Sequence, residues 1–342
     1  GILVGGEDED KKKNSFDKLV GEQSYAIKIG DWSYTIDWAV PASMSLFVGS
    51  ELHKLTQDEF KVADVLNALS RLTEPMLELS VFSGWNQAIE AANYNDSSPV
   101  ESVIYNALAS YVTQALPTVG GQISRIFDKN KRSYYYMDKT SNIPIFIQRL
   151  LGQTSSKIPF LSYLYAPTVD DWGRDEEYGG IVERVFENTL SPGYSSTANY
   201  TNVDTELKRL YDSTGNNEVL PSSQSKSFKS DGITKYLTAK EFAEVKRLRG
   251  QMAFNLISEL MSDKKTFKIQ NEETGQYRNL RYSQMTDEEK VRVIKRCYED
   301  AGEYAKAKFM VKTYEQEAKS GGTSKKKALE NANKIIKKYE GK

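Results

Sequence analysis

Apolar and polar residues alternate in two short runs, YAIKI (25–29) and WSYTI (32–36), that meet at Gly30-Asp31. A period of two predicts a pair of strands. A two-residue connection that begins with Gly suits a type II′ hairpin, because Gly accepts a positive φ at little steric cost. A lone hairpin is marginal in water, so Trp32, Tyr34, Trp38 and the apolar run after Pro41 are its expected covering partners. From Thr56 the period becomes helical. Thr56 and Glu59 form a capping box, and Phe60, Ala63, Leu66, Leu69 and Leu72 follow at helical spacing. Pro75 restarts the pattern for a helix over 76–92. Pro99 opens another over 100–116, with Val103, Ile104, Ala107, Leu108, Tyr111 and Val112 as its stripe.

Residues 122–200 have a different texture. Short apolar runs lie between Pro and Gly (SYYYMDKTSNIPIF, KIPFLSYLYAPTVDDWG, LSPGYSSTANYTNVD), with more aromatic residues than a linker carries. This predicts an ordered but irregular segment that wraps over other elements or over a partner chain. After Pro221 helices return. Thr238 with Glu241, and Thr286 with Glu289, are capping boxes ahead of long apolar stripes, the second running to about Lys319. SGGTSKKK breaks that helix, and Ala328, Leu329, Ala332, Ile335, Ile336 and Tyr339 give a final amphipathic one.

The predicted fold is mainly α, with a small N-terminal β-hairpin and an irregular aromatic-rich middle, in an elongated multi-helix assembly. Five regions are expected: a polar N-terminal segment (1–23), a hairpin plus helical domain (24–121), a wrapping segment (122–235), a C-terminal helical domain (236–320) and a Lys-rich terminal helix (321–342). No repeat of fixed period is visible.

Composition narrows the chemistry. Among 342 residues there is one cysteine, Cys297, and one histidine, His53, and the formal net charge is −1. A disulfide within the chain is impossible, and a Cys/His zinc cage has too few ligands. A Ser/His/Asp triad would have to use His53, without a G-x-S-x-G elbow to present the serine. No apolar run reaches the 18 residues of a transmembrane helix. The chain opens Gly1-Ile-Leu-Val-Gly-Gly ahead of a charged run. The expectation is a cut chain, or part of a longer one, with a hydrophobic region upstream.

Three clusters invite functional readings. RIFDKNKRSYYY (125–136) interleaves Arg125, Lys129, Lys131 and Arg132 with Tyr134, Tyr135 and Tyr136, the grammar of single-strand binding by stacking and phosphate contact. The competing reading, a solvated loop whose tyrosines pack on neighbouring helices, is favoured because the flanking chain is not basic. TVDDWGRDEE (168–177) gathers Asp170, Asp171, Asp175, Glu176 and Glu177, which could bind a hard cation or supply an acid–base pair. It lacks the spacing of a Ca²⁺ loop, so a solvated acidic loop is the simpler expectation. The terminal lysines Lys325, Lys326, Lys327, Lys334, Lys337 and Lys338 could lie on an anionic membrane, or could line the exposed face of a helix docked by its other side. No catalytic, cofactor-binding or metal-ligating set is assigned.

Two segments taken together resemble a known group of proteins. GILVGG, the charged run and QSYAIKIGDWSYTIDWAVPASMSLFVG are similar to the region after the hydrophobic helices of long phage virion proteins. LTAKEFAEVKRLRGQ with YSQMTDEEKVRVIKRCYEDAGEYAKAKF resembles the C-terminal part of the same proteins. They are the tail tape-measure proteins, the ejected internal virion proteins and the large polyvalent phage proteins of Gram-positive hosts. The resemblance runs from the first residue to about residue 315. It implies a structural protein stored in the virion, in the tail lumen or capsid interior. Released at infection, it would help form a DNA conduit through the host envelope. Its partners would be other virion proteins, copies of itself, DNA in transit, and the envelope membrane through an upstream hydrophobic region. Trp32, Trp38, Tyr134, Tyr135, Tyr136 and Trp172 are then the candidate contacts between copies. Two alternatives stay open: a phage cell-wall hydrolase or lytic transglycosylase using the carboxylates near Asp170, and a nucleic-acid-binding module using Arg125, Lys129, Lys131 and Arg132.

Overall fold

The computed structural model describes residues 3–6, 8, 10–36, 124–155, 158, 160–181, 184–185, 194–230, 233–270, 275–319 and 326–340. The fold is mainly helical with a few small antiparallel sheets. The Thr56 capping box, the helices expected over 76–92 and 100–116, His53 and Trp38 lie outside the described residues. The chain divides into two compact units, Gly1–Pro167 with Glu177–Asn199, and Thr168–Glu176 with Tyr200–Lys342. Residues 122–235 contribute to both.

The first unit holds a four-stranded antiparallel sheet, β1 (Leu3–Val4), β2 (Ala26–Ile29), β3 (Trp32–Thr35) and β4 (Ser195–Thr197) in that order. The β2–β3 register pairs Ile29 with Trp32 across Gly30-Asp31, and Gly30 takes a φ of 61°. The hairpin is flanked by β1 and by β4, where Ser33 faces Ser196. Tyr25 and Ile36 form its small core with Leu3, Ile27 and Tyr34. Helix α1 (Lys11–Val20) starts where the Asp10 carboxylate accepts from the Lys12 and Lys13 amides, and it buries Phe16 and Val20. Helix α2 (Ile145–Ser155) differs. Its sequence is IFIQRLLGQTS, yet Gly152 is its one buried residue.

The second unit is built on long helices. Helix α3 (Asn202–Thr214) buries Val203, Leu207 and Leu210. A 3-10 turn (Asn217–Val219) and a hairpin, β5 (Ser227–Ser230) with β6 (Ile233–Tyr236), lead into α4 (Ala239–Met261). The Thr238/Glu241 box closes the start of α4, with the Glu241 carboxylate 2.8 Å from the Thr238 amide. A second hairpin, β7 (Phe267–Gln270) with β8 (Tyr277–Leu280), returns the chain to α5 (Asp287–Lys319), whose 33 residues span about 50 Å. Val245 on α4 packs with Ala305 and Phe309 on α5, and Lys312 of α5 reaches Glu244, so the two run antiparallel. Helix α6 (Lys326–Glu340) folds back, setting Ala332 and Ile336 against Ala307. Helix α5 is therefore buried on two faces, which explains why its apolar pattern is less one-sided than that of α6.

Candidate functional site

The acidic run 168–177 becomes a tight turn that clasps α4. The Asp170 carboxylate accepts from the amides of Trp172 and Arg174 and from Arg174 Nε (2.7 Å), which closes the turn. Trp172, 2% exposed, enters the core of the second unit. Its indole N–H donates to Asp204 Oδ1 at 2.8 Å, and its ring meets Phe254 edge-on and Tyr298 stacked. Asp204 is itself 1% exposed and also closes the start of α3, accepting from the Thr201 amide and hydroxyl at 2.9 and 2.6 Å. One buried carboxylate thus answers three donors, which satisfies its hydrogen-bonding capacity inside the core.

Two glycines let the clasp close. A Cβ on Gly250 would lie 2.7 Å from the Asp171 carbonyl oxygen and closer still to the backbone of Trp172 and Gly173. Gly173 has a φ of 77° and presses on the Arg247 carbonyl. Around the contact Lys246 pairs with Asp171 at 2.9 Å, Arg247 pairs with Asp175, and Arg249 donates to the carbonyl and hydroxyl of Ser222. The space left between Asp171, Ser222, Arg249 and Tyr298 is about 10 Å³, room for one water molecule. The carboxylates weighed as an acid–base pair are occupied as structural anions: Asp170 with Arg174, Asp171 with Lys246, Asp175 with Arg247 and, in the first unit, Glu177 with Lys129.

Trp172, expected among the contacts between copies, is committed within its own unit. Trp32 is 42% exposed and stacks on Tyr34 at 6.1 Å. Tyr135 is 65% exposed, with its ring 4.2 Å from that of Tyr134. Tyr134 is half-buried, and burial followed by the neighbouring Tyr135 pushes its hydroxyl well above the ordinary range. Tyr136 is half-buried, and its amide donates to the Ser133 carbonyl.

The cations of 125–132 are mostly engaged. Arg132 makes a two-pronged bond to Asp128 at 2.8 and 3.0 Å and lies over the Tyr163 ring. Asp128, 4% exposed, also accepts from Ser162 Oγ at 2.8 Å. Burial raises its pKa, but the bonds from Arg132 and Ser162 outweigh it and hold the carboxyl below its usual range. Lys129 pairs with Glu177, and Lys131 sits over the rings of Tyr178 and Tyr194. Arg125 is exposed.

The apolar face of α6 is covered by α5, and Tyr339 hydroxyl donates to Asp300 at 2.8 Å. The terminal helix is thus docked by one side, with Lys334, Lys337 and Lys338 outward. Cys297 is half-buried, and its thiol is pushed up to about 12, mainly by burial, so it is a poor nucleophile at neutral pH. Among the described residues no three of His, Cys, Asp or Glu converge on a metal-sized site, and no helix is long and apolar enough to cross a membrane.

The feature that residue patterns did not single out is the apolar surface of the first unit. Phe127, Phe160, Tyr163 and Leu164 are 58%, 61%, 52% and 74% exposed. Of the exposed large apolar side chains among the described residues, only Tyr236 and Tyr277 belong to the second unit. A signal was present in the charge pattern, since no acid occurs from Lys139 to Val169. Comparison with models of protein families, with curated proteins and with solved structures found no match to this chain.

Proposed function

We propose that the chain is a structural component of a phage particle, a tape-measure or internal ejection protein. Stored as an elongated multi-helix assembly in the tail lumen or capsid interior, it leaves at infection to help form a DNA conduit through the host envelope. The reading rests on the resemblance to such proteins carried by 1–49, 237–251 and 282–309. The observation that carries it furthest is the uneven surface: one unit is closed by its own ion pairs and core, while the other presents large apolar side chains that an assembly would cover. Trp32 and the Tyr134–Tyr135 pair are its contacts to neighbouring copies, aromatic groups suited to interface centres.

Neither alternative gains comparable support. A hydrolase needs a free acid and base, and Asp170, Asp171 and Asp175 each have a cation partner. Single-strand binding needs unpaired cations, and Arg132 and Lys129 are paired. Peptide mass spectrometry on purified particles tests the proposal. Peptides of this chain in virions are expected, and their absence would overturn it. Clearing of a peptidoglycan zymogram would instead support the hydrolase.

A further inference from the structure

The clasp on α4 is an insertion whose two legs belong to the other unit. The chain forms the first unit up to Pro167, gives Thr168–Glu176 to the second, and returns to the first at Glu177. Inside the first unit both legs are tied to one short segment, 129–133. On one leg the Ser133 amide donates to the Ala166 carbonyl at 2.9 Å, and Arg132 pairs antiparallel with Pro167. On the other the Tyr178 amide donates to the Lys129 carbonyl at 2.8 Å, and Asn130 pairs antiparallel with Glu177. The segment is itself fixed by the buried Asp128, which accepts from Arg132 and from Ser162.

The tip is tied as firmly inside the second unit. The Glu176 amide donates to the Thr168 carbonyl at 2.9 Å and the Asp170 amide to the Arg174 carbonyl at 2.8 Å, so the tip is a small closed hairpin. Trp172 is seated against Asp204, Phe254 and Tyr298, and the tip backbone presses on Gly250. No free residue separates the two sets of bonds. Pro167, paired with Arg132, is followed at once by Thr168, and Glu176 is followed at once by Glu177, paired with Asn130. Units joined by a flexible linker open independently, because the linker absorbs the displacement. A junction without slack passes a displacement of the tip straight to the backbone bonds of the legs.

We propose that 168–176 is a coupling pin. Withdrawal of the Trp172 tip from the second unit loosens residues 129–133 of the first, and loosening of 129–133 frees the tip. Coupling through a shared segment is reciprocal, so each end reports on the other. The β2–β3 hairpin, whose bonds run between its own two strands, stands outside the pin and keeps its protection.

Hydrogen exchange of the full chain, read by mass spectrometry, tests the pin from both ends. Gly250→Ala sets a methyl group against the tip and is expected to speed exchange at 129–133 about tenfold, with 26–35 unchanged. Arg247→Met removes only the partly exposed pair to Asp175, so it stays folded, and it is expected to move the same amides in the same direction by less. From the other end, Arg132→Met is expected to speed exchange at 170–176 about tenfold. Once Gly-Ser-Gly is inserted behind Pro167 and again behind Glu176, Gly250→Ala should no longer alter 129–133. Parental exchange at 129–133 in both tip variants would overturn the proposal. So would equal acceleration at 26–35, which would mean that the whole chain loosens, or an effect that survives the added slack.

Discussion

The two units use the same residue types for opposite purposes. In the second, Trp172 is buried, its indole bonded to Asp204, its ring between Phe254 and Tyr298, and its turn pressed backbone to backbone on Gly250. In the first, Phe160 stands exposed in a strained conformation, and α2, rich in Ile, Phe and Leu, buries only Gly152. One unit uses aromatic residues to close itself and the other to present a surface. The difference teaches that burial, rather than composition, tells a structural tryptophan from an interface phenylalanine.

The contrast breaks most sharply at Trp172. Trp172→Ala removes the ring and leaves Asp204 short of a donor, and should cost about 4 kcal/mol in a urea titration. Gly250→Ala sets a methyl group against the backbone of the clasp and should cost about 3 kcal/mol by the same measurement. If either variant unfolds at the parent's urea midpoint, the clasp does not hold the unit together.

Acid sharpens the comparison at intermediate size. Asp287 bonds to Arg209 at 2.8 Å and to Ser213, which lowers its pKa from 3.8 to about 2. Glu206 is raised by burial but lowered more by Arg209 and Tyr282. Depressed folded-state values mean that this stabilisation is complete above about pH 4 and disappears as pH falls toward 2. With screening at a partly exposed pair, the Asp287 share is about 1 kcal/mol. Melting temperatures across that range should fall for the parent and change less for Arg209→Met; parallel curves would contradict the assignment.

The smallest effects belong to the exposed 3-10 turn Leu161–Leu164 and to Phe160 ahead of it, which has a φ of 69°. Phe160→Gly should stabilise by about 1 kcal/mol through relief of the positive φ, and Leu164→Ser should stay within about 0.5 kcal/mol. Chemical denaturation checks both. A large loss from Leu164→Ser would mean that the chain itself covers this side chain.

What the sequence made legible was local grammar. The Gly30 hairpin, the capping boxes at Thr238 and Thr286, and the long helix through Ile294, Tyr298, Ala301 and Ala305 follow from period and cap chemistry, which are short-range. The Thr201/Asp204 box was equally local, but TNVD sits in a Gly/Pro-rich stretch whose texture read as irregular. The hairpins at 227–236 and 267–280 carried local signals too, Asp231-Gly232 in the sequence between the strands of the first and the alternation Phe267-Lys268-Ile269-Gln270 in the second, but strands of four residues are too short for a period to stand out beside the long helical stripes. The acidic cluster was visible as a cluster, but its role was not, because the partners Lys246 and Arg247 come from about 75 residues away, a long-range pairing that no local pattern encodes. The exposed apolar surface was hidden for the converse reason, since an apolar run looks the same whether it is buried or displayed.

Hydrogen exchange on the full chain in solution, read by mass spectrometry, tests the central contrast most directly. Amides of 243–260 and 291–309 should exchange slowly, and those of 145–155 and 160–164 should exchange orders of magnitude faster. Strong protection of 145–155 and 160–164 in the chain alone would contradict the account, because it would show that the displayed surface is already covered.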